Sequence, residues 1–236
     1  MKKFLALILI LLIAGVAATE IFLPRFVTST LKEQISRATL ASDVSLSIYS
    51  SPNAKIALGQ VDKIHATAAD CKIGDVDFQS LELDAAKVKV DVQEILFPTP
   101  NLDANQRADK ILKSADSIEL SGIITQDGLK NFIEQKAEHV DSIDVKITPQ
   151  EVTATGHVKL FGREADVDIA GMFMLRDGDV FFHATKLDVR NTLVRNIQID
   201  RFMGDVKVLE SAALPIGMQF NSVQVRDGDV LITATR

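Results

Sequence analysis

The chain has 236 residues and a formal net charge of −6, an acidic balance that disfavours nucleic-acid binding and docking on anionic lipid through a basic patch. A single cysteine, Cys71, excludes an internal disulfide, so the fold relies on its core, which about 200 residues suffice to build. With no Trp and one Tyr, the flat aromatic faces that usually stack on sugar rings are missing, which counts against a carbohydrate-binding module.

Lys2 and Lys3 precede fifteen uninterrupted apolar or small residues, Phe4 to Ala18, the pattern of an export segment. As a helix this run spans about 22 Å, short of a hydrocarbon core of about 30 Å. Val16 and Ala18 suit a cleavage site, whereas Ile21, Phe22 and Leu23 extend the run toward an uncleaved anchor. Residues 1–23 are therefore a signal peptide or a signal anchor to the cytoplasmic membrane. Residues 24–236 form one expected domain on the extracytoplasmic side, either tethered there or released as a secreted or periplasmic protein.

Pro24 opens an expected helix of about 15 residues whose stripe is Val27, Leu31, Ile35 and Ala38. From Val44 the period becomes two, with Val44, Leu46 and Ile48 alternating with Ser45, Ser47 and Tyr49. Alternation returns at Leu81 and Leu83, at Val88, Val90 and Val92, and at Ile143, Val145 and Ile147, predicting long antiparallel β-structure. Pro98, Pro100 and Asn101 open a polar excursion, residues 98–117, in which Ala108, Ile111, Leu112 and Ala115 predict a short amphipathic helix. A further helix is expected from an N-cap at Thr125 to His139, with Asp127 at its positive end and Leu129, Phe132 and Ile133 on its apolar stripe. Leu175 to Val180 and Val225 to Val230 carry nearly the same hexapeptide fifty residues apart; both Asp-Gly pairs predict type I′ hairpins, in which the two central residues take positive φ.

The chemistry-bearing residues have simpler explanations. Asp177 to Asp179 and Asp227 to Asp229 are too short to be calcium loops, which need six or more oxygens. Asp75 with Asp77 and Asp166 with Asp168 stand at i, i+2, which on a strand places both on the solvent face, and no nucleotide-binding glycine loop accompanies them. His65, His139, His157 and His183 lack the spacing of a zinc helix. Cys71 sits in a polar, turn-like setting with no motif placing a base beside it. No catalytic residue, metal or cofactor is expected.

Against that background, several segments resemble the LmeA-like phospholipid-binding proteins of the bacterial cell envelope. The resemblance rests on Pro52, Leu58, Gly59, Val61 and Ile64; on Ile73, Gly74, Leu81, Leu83 and Val88; on Gly122, Thr125, Leu129, Phe132 and Ile133; and most clearly on Leu214, Pro215, Gly217, Val223, Val225, Gly228, Val230 and Ile232. It implies a fold of the tubular lipid-binding type and a phospholipid partner. The expected architecture is α+β, a long curved antiparallel β-sheet wrapped around one or two helices after the N-terminal hydrophobic helix. The expected function is to bind phospholipid in envelope lipid or glycolipid assembly or transport, with acyl chains between the helix stripes and the sheet, lined by Val27, Leu31, Ile35, Leu129, Phe132 and Ile133. Two rivals are an anchored scaffold with a filled core, whose sheet edge pairs with an envelope protein, and an enzyme acting on envelope lipids or glycans. Periodicity does not separate a packed interface from an acyl-chain slot.

Overall fold

The structure, a computed structural model, describes residues 41–97, 99–102, 104–136, 140–160, 163–190 and 205–236. The expected export segment, the first helix with Val27, Leu31 and Ile35, and His139 lie outside the described residues. Strands dominate and helices are few, in keeping with the expected α+β class. Among the described residues no helix is long and apolar enough to cross a membrane.

The strands are β1 (Asp43–Tyr49), β2 (Gln60–Ile73), β3 (Val76–Val90), β4 (Leu112–Ser114), β5 (Ser117–Thr125), β6 (Val140–Ile147), β7 (Val152–Leu160), β8 (Arg163–Arg176), β9 (Asp179–Arg190), β10 (Asp205–Leu209), β11 (Gln219–Val225) and β12 (Asp229–Thr235). The helices are α1 (Val92–Leu96), α2 (Ala104–Ile111) and α3 (Gln126–Lys136). One sheet has the order β1-β2-β3-β5-β12-β11, with β4 paired to β3, and the other the order β10-β9-β8-β7-β6. The chain divides into two compact units, Met1–Ala68 with Glu82–Glu119, and Ala69–Leu81 with Leu120–Arg236, so β2, β3 and β5 contribute residues to both.

In the first unit β1 alternates as expected, with Val44 buried, Leu46 and Ile48 half-buried, and the serines between them exposed. A 3-10 turn, Asn53–Leu58, ends on Gly59 at φ 73°, whose carbonyl accepts from Val90 N–H at 2.8 Å. The expected alternation through Val92 stops at Val90, because the Asp91 side chain accepts from Gln93 N–H at 2.9 Å and Glu94 N–H at 3.2 Å and caps α1 instead. The helix expected around Ala108 to Ala115 lies earlier. It ends at Ile111, because Leu112 pairs with Val90 and joins the edge of β3 as β4.

In the second unit Thr125 Oγ1 accepts from Gly128 N–H at 3.2 Å, the expected N-cap of α3, and the helix is described as far as Lys136. A Cβ on Gly128 would lie 2.5 Å from the Asp77 carbonyl oxygen, so only a bare backbone lets the first helical turn approach β3 this closely. Cys71 corrects the expectation of a polar turn, since it lies within β2, 1% exposed, with Sγ 4.0 Å from the Phe78 carbonyl oxygen. Asp177 (φ 53°) and Gly178 (φ 81°) form the type I′ tip expected between β8 and β9. The matching Asp227-Gly228 pair differs, as only Gly228 has positive φ, at 87°. There a three-residue loop closes with Arg226 N–H donating to Asp229 O at 2.9 Å, so loop length rather than the dipeptide sets the turn type.

The long β8–β9 ladder is offset once: Ala170 pairs with Lys186 and Gly171 with Ala184, leaving Thr185 as a bulge whose Oγ1 donates to Ala170 O at 3.2 Å. A Cβ on Gly171 would lie 2.2 Å from the His183 carbonyl oxygen. Gly171→Ala is therefore expected to destabilise the protein by about 2 kcal/mol through overpacking, read as a lower urea midpoint with an unchanged m-value.

Candidate functional site

The ladder registers of the five-stranded sheet place side chains in rows, and alternate rows point to opposite faces. Rows on one face contain no polar residue. Ile147 stands beside Val152, then Gly171 and Ala184; Val145 beside Ala154, then Ile169 and Leu187; Ile143 beside Gly156, then Val167 and Val189. Beyond Gly171 the same face continues with Phe173, Phe182 and Val206, then Leu175, Val180 and Leu209. Phe173 and Phe182 meet edge to face with ring centroids 5.7 Å apart.

This face is unevenly covered. Helix α3 packs on β6, and β11 packs on β8 and β9. The row through Ile147, Val152, Gly171 and Ala184 is fully buried, as are Val180 and Leu209. Ala154, Ile169 and Leu187, with Gly156, Val167 and Val189 in the next row, are only half-buried. They form a contiguous apolar patch across β7, β8 and β9, of the chemistry that binds hydrocarbon. Beyond the buried row, Phe173 and Phe182 are again half-buried, beside Val206, which is 52% exposed.

The opposite face carries ion pairs, set among Met172, Met174 and Phe181. His157 pairs with Asp166, Arg190 with Asp168, and Arg176 with Asp205. His183 Nδ1 lies 2.7 Å from Asp205 Oδ1, and Lys207 Nζ 2.9 Å from Asp179 Oδ2. Asp166 and Asp168 thus each meet a basic group on a neighbouring strand, the structural role that i, i+2 spacing implied. Asp75 and Asp77 also serve structure: Asp75 binds Lys136 at 2.6 Å, and Asp77 binds Lys72 at 2.9 Å and Asn131 at 3.0 Å, which clips α3 in place. Asp205 is held below the usual carboxylate range by hydrogen bonds from His183 and Arg176, and Asp179 by the Ser211 N–H and the Lys207 ammonium. Exposed pairs of this kind are screened by water and salt, contribute little to stability and keep this face wet.

Three histidines that look isolated in the sequence acquire acidic partners across strands. In the first unit His65 Nδ1 lies 3.0 Å from Asp84 Oδ1 and 3.8 Å from Glu82 Oε1, all three side chains being exposed. Their ligand atoms lie within 4.8 Å of one another, the one such group of metal-competent side chains among the described residues. Burial pushes the Cys71 thiol up to about 11, so it is protonated at neutral pH and does not act as a nucleophile.

Of the residues expected to line an acyl-chain slot, Leu129 and Phe132 are buried and Ile133 half-buried on α3, where the helix packs on β6. Val27, Leu31 and Ile35 lie outside the described residues. The half-buried patch lies outside the expected lining, although its signal is present in the sequence: Ala165, Val167, Ile169, Gly171, Phe173 and Leu175 alternate without a break, with Asp166 and Asp168 between the first three.

A model of the LmeA-like phospholipid-binding family matches residues 18–235. No curated protein and no solved structure matches the chain.

Two outcomes separate the packed regions from the ionic face. Phe132→Ala is expected to cost about 3 kcal/mol in chemical unfolding, the cavity cost of a buried aromatic. Asp179 has a lowered folded pKa, so its contribution is present above the unfolded value of about 3.9 and lost as pH falls through the folded one. Asp179→Asn should accordingly lower the melting temperature at pH 7, and the gap to wild type should close below about pH 4.

Proposed function

The chain belongs to the LmeA-like phospholipid-binding family, and we propose that it holds phospholipid acyl chains against the half-buried patch of β7, β8 and β9. The observation that carries this reading is the register-matched apolar face, on which the rows through Ile169 and Val167 are half-buried, with α3 and β11 the main elements packed on this sheet among the described residues. Each acyl CH₂ transferred from water to such a surface contributes roughly 0.8 kcal/mol, so one chain provides ample affinity. Ile133, half-buried on α3, lies on the helix that packs along the β6 side of the same sheet.

In this reading the protein works on the extracytoplasmic side of the cell membrane, delivered or anchored there by residues 1–23, and serves envelope lipid or glycolipid assembly or transport. The Lys-led apolar run supports export, and a core that needs no disulfide is consistent with it. The protein acts by holding lipid rather than by a covalent step. The protonated Cys71 and the paired aspartates of the ionic face support that assignment.

Lipid mass spectrometry on residues 19–236, exported and purified without detergent, tests the reading against a mock preparation. A stoichiometric phospholipid is expected. Ile169→Asp and Val189→Asp should each reduce retained lipid about tenfold or more while circular dichroism is unchanged, because a carboxylate in the patch must be desolvated by the acyl chain. Ala154→Phe should displace lipid by filling the patch. No lipid in the wild type, together with no vesicle binding, would transfer support to an envelope scaffold with a filled core.

A further inference from the structure

Single exposed apolar side chains are ordinary, but three stand on neighbouring segment ends of the first unit. Tyr49 is 58% exposed, Leu58 74% and Phe97 79%, the last two being the most exposed large hydrophobics among the described residues. Local hydrogen bonds bring their segments together. Ser50 Oγ donates to Gln60 O at 3.2 Å and Ser51 N–H to Asp62 Oδ2 at 2.8 Å, setting the end of β1 beside the start of β2. Gly59, next to Leu58, accepts from Val90 N–H at 2.8 Å, which sets Leu58 beside the end of β3. Phe97 follows one short helix later, at the C-cap of α1. Three segment ends thus offer an aromatic or aliphatic side chain to solvent.

Charge at this end is compensated, unlike the chain as a whole, whose formal net charge is −6. Asp62 is held by Ser51 N–H and by Lys55 at 3.6 Å. Asp91 is held by two helical N–H groups and by Lys113 at 3.0 Å. Glu94 accepts from Thr99 N–H at 2.7 Å and Thr99 Oγ1 at 2.8 Å. The carboxylates are drawn back onto the backbone, and two of the three carry a lysine, so the exposed apolar side chains are not surrounded by free negative charge that phosphate headgroups would repel. A phospholipid resides in bilayers rather than in free solution, so a protein that takes one up must meet a bilayer surface.

We propose that this end of the first unit docks on a phospholipid bilayer, with Phe97, Leu58 and Tyr49 entering the boundary between headgroups and acyl chains. The proposal rests on the phospholipid-binding reading and adds the surface through which lipid is collected.

The chain has no tryptophan, so Phe97→Trp installs a sole reporter. The full chain is used in vesicles of phosphatidylcholine and phosphatidylglycerol, which keeps any attachment through its N-terminus constant across variants. Emission from the introduced indole should shift to the blue and be quenched by brominated acyl chains. A control Lys186→Trp, on the ionic face of β9, should show neither effect. Leu58→Asp combined with Phe97→Asp should slow uptake of phospholipid from vesicles about tenfold while lipid already bound is retained. An indole at position 97 that stays open to acrylamide with vesicles present, with wild-type uptake in the double variant, would overturn the proposal. So would shielding of that indole without vesicles that grows with protein concentration, since a second copy would then cover this end. Retained lipid in the wild type is scored separately: its absence, with the reporter still quenched, would remove the acyl-chain reading and leave docking in place.

Discussion

Strand register in the five-stranded sheet is the constraint on which the second unit depends. Because side chains alternate with a period of two, slipping any one strand by one residue would turn its apolar set to water and its ionic set inward. Two local features hold β8 and β9 in register. The Asp177-Gly178 tip fixes where the hairpin starts, and Thr185 absorbs the single offset opposite Ala170 and Gly171. Gly171 is thereby committed to a site with no room for a side chain, and Phe182 passes over the space it leaves.

The same alternation that folds the sheet also shapes the candidate site. A sheet with one apolar face must cover it, and here α3 and β11 cover the rows nearest to them. The half-buried rows through Ile169 and Val167 remain, while the other face sets its ion pairs among Met172, Met174 and Phe181. Lipid binding on this reading needs no dedicated pocket residue, only an incomplete cover over surface that folding has already made apolar.

Local signals were legible where a single element decides the outcome. Thr125 as N-cap, β1 around Val44, and the Asp177-Gly178 hairpin all follow from propensities that act over a few residues. Misreadings came where a neighbouring strand intervenes. Leu112 leaves a helical pattern because β3 offers it a ladder, and Cys71 is buried because its strand neighbours cover it, whatever the polarity of the residues beside it in sequence. Val92 fell to a shorter-range competitor, the Asp91 side chain, which captures two backbone donors that a continuing strand would have paired elsewhere. The partners of His65, His157 and His183 come from adjacent strands, so no local spacing could reveal them.

Cys71 carries one more consequence. As the sole thiol of the chain, buried beneath Phe78 and protonated at neutral pH, it offers oxidants and disulfide exchangers nothing to attack. With no internal disulfide to form, the native state is reached without a disulfide oxidase or disulfide isomerase, and a reductant does not undo it.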